Sequence, residues 1–299
     1  MPDRAVVIAN PAARLVETHV SIERITECLQ QSGLQVEVHL TEQAGDGQRL
    51  AAEAVQAGVK RVVAAGGDGT INEVIQSLAG TSTELAIVPL GTGNVFARSI
   101  GLDERHLADS CQIAAGGQVR TIDLGLMGGR YFAATAGAGI DAQVALNLDP
   151  GWKQRIGKVA FVPELLRTIL IEDPHVLRLT MDGRTIEGPM WGVLICNTNE
   201  YTWRIHPVPD SREDDGLLDV VVLHRHGFLD FLDLVGRMFF SGETAVGHPT
   251  ASIMRVGHME MEATPPMPWQ VEGEPLGMTP VAVQVMPGAL RLVTAPPPA

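Results

Sequence analysis

The first third of the chain alternates short apolar runs with amphipathic stretches. Residues 5–9 are apolar throughout and stop at Asn10-Pro11, the pattern of a buried strand. Within residues 17–32, Ile22, Ile25, Cys28 and Leu29 recur at helical spacing, and Gly33 supplies the stop. Residues 34–40 alternate, placing Val36, Val38 and Leu40 on one side of a second strand. Leu50, Ala51, Ala54 and Val55 mark a further helix, closed by Gly58. A strand at 61–65, a helix at 70–78, a strand at 85–90 and a helix from about Asn94 continue the rhythm. Strands separated by helices of this length require right-handed crossovers, so the pattern predicts a Rossmann-like parallel α/β domain.

After about Asp123 the pattern changes. Residues 131–136, 176–181, 192–196, 218–223 and 281–285 read as strands, with Asp182-Gly183 and Asp215-Gly216 as turns between some of them. A helix is expected within residues 153–170. The expected division is an α/β domain over residues 1–124 and a mostly β domain over 125–286. Residues 287–299, including a strand near 289–293, return to the first domain, and the Pro-rich tail from Ala295 carries no pattern.

A chain of 299 residues suffices for two such cores. With 45% hydrophobic and 19% charged residues it falls among folded globular chains. The formal net charge of −13 disfavours nucleic acid as a partner, because phosphate binding needs clustered Lys and Arg. It also disfavours recruitment to anionic membranes by bulk charge. Cys28, Cys111 and Cys196 are scattered, without CxxC spacing, so no disulfide framework or zinc site is expected and a reducing cytoplasm is the simple inference. The apolar run at 5–9 is too short for a signal peptide. No stretch approaches the ~18–20 apolar residues of a membrane-spanning helix.

The strongest local signal is Gly66-Gly67-Asp68-Gly69-Thr70-Ile71-Asn72-Glu73, where an apolar strand runs through a glycine-rich turn into a helix. Glycines admit close approach of a ligand to the backbone, and the amides opening a helix attract phosphate. Asp68 can hold a magnesium–phosphate unit or accept a hydroxyl proton; a plain βα turn is the alternative. Thr70 and Glu73 have capping-box spacing, which predicts the helix start. A second element of the same design follows: strand 85–90, then Gly91-Thr92-Gly93-Asn94, then a helix opened by Val95-Phe96-Ala97-Arg98. A third turn, Asn10-Pro11-Ala12-Ala13, should emerge on the same edge of a parallel sheet, where ligands of such sheets bind. No GxxxxGK[ST] loop is present, so a nucleotide would not be held in the P-loop manner.

These blocks resemble the diacylglycerol-kinase-like lipid kinases, a family that includes bacterial lipid kinases and sphingosine kinases. The matching pieces are Asn10-Pro11, residues 66–74, Pro89 to Asn94 with Phe96-Ala97-Arg98, Asp214-Asp215-Gly216-Leu217-Leu218-Asp219, and Gly273-Glu274-Pro275-Leu276. Their order and spacing fit across nearly the whole chain. The resemblance implies an α/β nucleotide-binding domain followed by a β-sandwich domain, with ATP between them. It implies a nucleotide site formed by Asn10, Thr41, Gly67, Asp68, Gly69, Thr70, Ile71, Asn72, Glu73, Thr92 and Asn94. It further implies a Mg²⁺ at Asp215, helped by the carbonyls of Arg212 and Leu217. Glu274 matches the carboxylate regarded in similar proteins as the general base, with Asp68 and Glu272 as competing candidates. Phosphoryl transfer needs those parts together: positioning, charge neutralisation and a carboxylate to take the hydroxyl proton.

The chain departs from the family pattern at Ala13 and Arg14, where a glycine and a lysine are frequent. Val95 stands where Asp is common, and Glu272 replaces the first Asp of an Asp-Gly-Glu motif. Tyr201-Thr202-Trp203-Arg204 stands where the family is often glycine-rich, which bears on substrate identity. The implied activity is transfer of the ATP γ-phosphate to a lipid hydroxyl, by a cytoplasmic enzyme that visits the membrane surface. A homodimer is compatible with this reading. The alternatives are an NAD-kinase-like phosphotransferase acting on a soluble acceptor, and a non-catalytic lipid or nucleotide sensor.

Gly137-Ala138-Gly139-Ile140-Asp141-Ala142 matches the dinucleotide pattern GxGxxA but is expected to be a buried turn without a following helix. His224 and His226 flank Arg225 at a strand end, where a solvated turn is expected. Residues 152–158 contain Trp152, Lys153, Arg155 and Lys158, the densest basic cluster, and could either dock on an anionic bilayer or pack as an ordinary helix.

Overall fold

The computed structural model describes residues 3–13, 22–103, 105–147, 175–201, 205–225 and 227–296, together with residues 164, 165, 167, 168 and 170. The chain forms two units. The first comprises Met1–Leu124, Glu213–Asp215 and Met286–Ala299, and the second Gly125–Arg212 and Gly216–Val285.

In the first unit the strands β1 (Asp3–Ala9), β2 (Leu34–Leu40), β3 (Arg61–Gly66) and β4 (Glu84–Pro89) lie in the order β2-β1-β3-β4, all parallel. The helices α1 (Ile22–Gln31), α2 (Asp46–Gln56) and α3 (Asp68–Leu78) make the crossovers. The end of the last strand, β15 (Val281–Thr294), adds in parallel beside β4 through Arg291 and Leu292. Central strands need apolar side chains on both faces, and every residue of β3 and β4 is buried. Val63, Ala65, Ala86 and Val88 pack with Ile25 and Leu29 of α1 and with Cys111 and Ala114 of α5 (Leu107–Gly116). The alternate residues Val62, Ala64, Leu85 and Ile87 must face the other way, and they are equally buried. Helix α5 was not legible in the sequence, because the residues it buries, Ser110, Cys111 and Ala114, are small and form no apolar stripe.

Opposite the strand ends that lead into the glycine-rich turns, Arg61 and Glu84 form a buried ion pair at 2.7 Å. Arg61 also donates to the carbonyls of Ala114 and Ala115 at 2.7 and 2.8 Å, which satisfies the C-terminus of α5. A buried pair is tolerable only when its remaining donors are used in this way.

The second unit is antiparallel. Strands β7 (Thr135–Gly139), β8 (His175–Met181), β9 (Arg184–Cys196), β10 (Leu218–His224), β11 (Ala251–Val256), β12 (His258–Thr264), β13 (Pro268–Val271) and β14 (Glu274–Met278) join the start of β15. Along the sheet the order is β14-β13-β7-β9-β8-β12-β15, and β10 pairs with both β9 and β11. Strand β9 is longer than its apolar tract suggests: Arg184–Met190 pairs with β8, whereas Gly192–Cys196 pairs with β7 and β10. Val193, Ile195, Val220 and Val222 enter one core with Leu177, Leu179, Met259 and Met261. Trp191, Leu194, Val221 and Leu223 enter another with Ile140, Val144, Phe231 and Leu234. The last four come from helices α6 (Ile140–Asn147) and α7 (Phe228–Gly236), which cover the second face. Double coverage is why 192–196 and 220–223 read as unbroken apolar runs, while β8 and β12 alternate.

Two expectations are corrected here. The single strand expected at 131–136 is two, β6 (Arg130–Phe132) and β7, because residues 133–134 break the pairing. Gly137 to Ala142 is not a lone turn: β7 runs directly into α6.

Candidate active site

Parallel pairing places the ends of β1, β2, β3 and β4 on one edge of the first unit. The chain order reverses direction between β1 and β3, and such a switch point is where open α/β sheets bind ligands. Asn10 leaves β1 there, its amide bonded to the Ala65 carbonyl of β3 at 3.0 Å. Its side-chain amide faces Thr70 Oγ1 at 3.3 Å. Thr41, at the end of β2, is buried and its amide bonds Ala9 at 2.9 Å.

The turn after β3 requires glycine for contact reasons. A Cβ on Gly66 would stand 2.6 Å from the Thr70 side chain, and one on Gly91 would stand 2.6 Å from Gly67 Cα. The turns after β3 and β4 therefore touch backbone to backbone. Asn94, fully buried and left-handed at φ 50°, closes the second turn on itself: its Oδ1 accepts from the Gly91 amide at 3.0 Å and its Nδ2 donates to the Gly91 carbonyl at 2.6 Å. Helix α4 (Val95–Ser99) starts at the next residue, and Arg98 donates to the Gly93 carbonyl. Asp68 joins the two turns by accepting the Val95 amide at 2.7 Å. Valine at position 95 thus still serves the turn, through its backbone.

The expected capping box does not form. Helix α3 begins at Asp68 after Gly67, with no side-chain cap. Glu73 instead turns toward α2, accepting the amides of Gly45 and Gly47 at 2.8 and 2.9 Å. Those amides open α2, where a carboxylate is favoured, so Glu73 stitches two helix starts together. Ile71 and Asn72 are buried, and the Asn72 side chain accepts from Gln76 at 3.2 Å. Gly69 and Thr92 are exposed, and Gly67 and Asp68 are half-buried. The first unit thus assembles Asn10, Thr41, residues 67–73, Thr92 and Asn94 along one edge, with phosphate-attracting amides at the start of α3.

Glu274 belongs to the second unit. It opens β14, its side chain 65% exposed and 3.9 Å from the Arg130 guanidinium. The preceding Glu272-Gly273 pair is a two-residue hairpin turn with φ of 52° and 81°, since Val271 pairs with Glu274. Glu272 lies inward: its Oε1 accepts the amides of Ala133 and Ala134 at 2.9 and 2.8 Å. A carboxylate holding two amides in this way anchors the turn.

The residues expected around the metal divide between the units. Asp215 falls in the first, and Arg212 and Leu217 in the second. Beside Asp215, Arg120 pairs with Glu213 and lies 3.9 Å from Asp214. Among the described residues no group of His, Cys, Asp or Glu side chains converges as a metal cage. Carboxylate and carbonyl oxygens, the donors expected here, are the hard ligands that Mg²⁺ takes.

Sequence reasoning missed a buried polar cluster in the second unit. Asp141 Oδ2 accepts from the Tyr201 hydroxyl and from Gln270 Nε2, each at 2.9 Å, and Oδ1 accepts the Ala142 amide at 2.8 Å. Burial pushes the Asp141 carboxyl above its ordinary range, while these donors pull it back. A Cβ on Gly137 would stand 2.4 Å from Asp141 Oδ2, so that glycine makes room for a carboxylate rather than for a dinucleotide. The available signal was an acid inside an otherwise apolar tract. Residues 152–158, 202–204 and His226 lie outside the described residues. No described helix is long and apolar enough to cross a membrane.

Residues 4–127 match the family model "Diacylglycerol kinase catalytic domain", and residues 134–294 match "YegS C-terminal NAD kinase beta sandwich-like domain". A diacylglycerol kinase of Bacillus subtilis (strain 168) is 27% identical over 93% of this chain and 91% of its own length. A Pseudomonas syringae pv. syringae (strain B728a) protein named "Probable lipid kinase YegS-like" is 32% identical over 87% of this chain and 84% of its own. A crystal structure of a diacylglycerol kinase from Bacillus anthracis str. Sterne superposes with a TM-score of 0.81 over 98% of each chain, at 24% identity. At that identity the likeness speaks for the fold alone.

Proposed function

Because the chain belongs to the YegS-like lipid kinases and carries their diacylglycerol kinase catalytic domain, we propose that it transfers the γ-phosphate of ATP to a hydroxyl of a membrane lipid such as diacylglycerol. The carrying observation is the contact between the two glycine-rich turns, closed by the Asp68–Val95 hydrogen bond. It brings a carboxylate and the opening amides of α3 to one edge of the sheet, where a triphosphate can be cradled by backbone. In this reading Asn10, Thr41, Thr70 and Thr92 border the nucleotide, and Gly67 and Gly69 let it approach. Ile71 and Asn72 support the site from beneath, and Glu73 and Asn94 hold the loops in shape.

Glu274 is the proposed base. Its exposure leaves the carboxylate accessible to a substrate hydroxyl, whereas Glu272 is committed to two amides. A Mg²⁺ at Asp215, with the carbonyls of Arg212 and Leu217, would supply charge neutralisation and rigidity when bound. The test is incubation with labelled ATP, Mg²⁺ and a panel of diacylglycerol, monoacylglycerol, sphingosine, phosphatidylglycerol and NAD. Label in a lipid product supports the proposal. Label only in the NAD product, or ATP binding without any turnover, overturns it.

A further inference from the structure

The hairpin turn beside Glu274 is held from inside by a chain of side-chain hydrogen bonds. Gln270 Oε1 accepts the Gly273 amide at 2.6 Å, while its Nε2 donates to Asp141. Asp141 is anchored in turn by the Tyr201 hydroxyl and by the amide opening α6. Gln270 and Asp141 are 3% and 7% exposed. The Gln270–Asp141 bond therefore lies out of water, where it is strong and where losing one member leaves the other unsatisfied, while the Gln270–Gly273 bond reaches toward the surface. The surroundings offer Gln270 little freedom: β13 pairs with β7 on one side and β14 on the other, and its register shifts between Trp269 and Gln270. At such an irregularity the ladder alone does not fix the next turn, so a side chain does.

We infer that Gln270 is a positioning residue for the phosphoryl transfer, fixing through its Asp141–Gln270–Gly273 bridge the turn that aims Glu274. This rests on the reading of Glu274 as the base. Glu272 anchors the same turn from its other residue, through Ala133 and Ala134, so the turn is held at two points. Tyr201 donates its hydroxyl to the same carboxylate, and its amide bonds the Ile205 carbonyl at 2.9 Å. Tyr201 and the hairpin bearing the proposed base thus share one buried acid.

The experiment is a double-mutant cycle on the full chain, with labelled ATP and detergent-dispersed diacylglycerol. Gln270→Met keeps volume and removes both hydrogen bonds. Expected is a fall of ~10-fold or more in kcat with little change in KM for ATP. In the Glu274→Gln background the same substitution should change kcat less than twofold, because a base already removed cannot be misaimed. If Glu274→Gln lowers kcat as expected and the two losses multiply, Gln270 acts independently and the inference falls while the base reading stands. If Glu274→Gln turns over normally, the base reading falls and takes the inference with it.

Gln270→Glu keeps the proposal testable should Gln270→Met fold poorly. Its carboxyl can still accept the Gly273 amide, but it meets Asp141 without a bridging proton once both ionise. Its kcat should approach wild type at low pH and fall as pH rises, with near-ultraviolet circular dichroism unchanged. A pH profile parallel to wild type would overturn the inference.

Discussion

Asp68 accepts the Val95 amide at 2.7 Å, so the turn after β3 and the turn after β4 share a hydrogen bond where Gly67 and Gly91 meet. Asparagine keeps the acceptor oxygen and the size, but not the charge. Asp68→Asn should therefore fold normally and lose ~10²-fold or more in turnover, the scale of a positioned acid or base. Near-normal kcat with an unchanged melting curve would make the first turn purely structural.

Gly69 separates stability from function. A Cβ there meets nothing within 4 Å, and the residue lies in the first turn of α3. Gly69→Ala should stabilise the fold by ~0.5–1 kcal/mol, as alanine does in a helix. It should also weaken ATP binding, because the methyl group occupies space that a phosphate would use. Calorimetric ATP titration beside thermal melting reads both; unaltered ATP affinity would place the phosphates elsewhere.

The two glutamates of the β13–β14 hairpin should respond differently to amide substitution. Glu274→Gln is expected to lower kcat by ~10²–10⁴ with little change in ATP affinity. Glu272→Gln retains an oxygen able to accept from Ala133 and Ala134, so its loss should be much smaller and accompanied by a lower Tm. The reverse ranking would reassign the base.

Asp215 should bind a metal that matters for stability as well as turnover. Melting in Mg²⁺ and in EDTA should differ for the wild type, and the difference should vanish in Asp215→Ala, since a ligand bound only to the folded state stabilises it. Equal melting of both proteins under both conditions would leave residues 213–215 as a charged turn.

Burial raises the Asp141 carboxyl above 3.8, its ordinary value, on folding. The folded state therefore keeps a proton that the unfolded state releases, and stability must fall as pH rises between those two values. This term is absent below the unfolded value and complete above the folded one. Subtracting the Tm-versus-pH curve of Asp141→Asn from that of the wild type, from about pH 4 upward, should expose the fall. A flat difference would mean that the hydrogen bonds from Tyr201, Gln270 and Ala142 cancel the burial.

Local pattern carried the α/β architecture of the first unit and the position of its glycine-rich turns. Unbroken apolar runs at residues 62–65 and 85–90 can hardly sit anywhere but in the middle of a parallel sheet. Glycines at 66, 67 and 91 are demanded by contacts that any tight pair of such turns would make. The family resemblance was legible for the same reason, because its motifs are contiguous. Strands β11 to β14 were not, since short strands alternating with polar residues look like loops until their partners cover one face.

Tertiary structure alone decided which partner each polar side chain takes. Thr70 and Glu73 have capping-box spacing, yet Glu73 finds the amides of Gly45 and Gly47, which packing of α2 against α3 brings closer than its own helix end. Asp141, Tyr201 and Gln270 are far apart in sequence and meet because β7 and β13 pair directly, Trp269 opposite Ala138 and Gln270 opposite Gly137. Hydrophobic periodicity is a local property, written wherever a strand or helix must hide one face. A hydrogen bond between distant residues depends on strand register, which follows only after the whole core has closed.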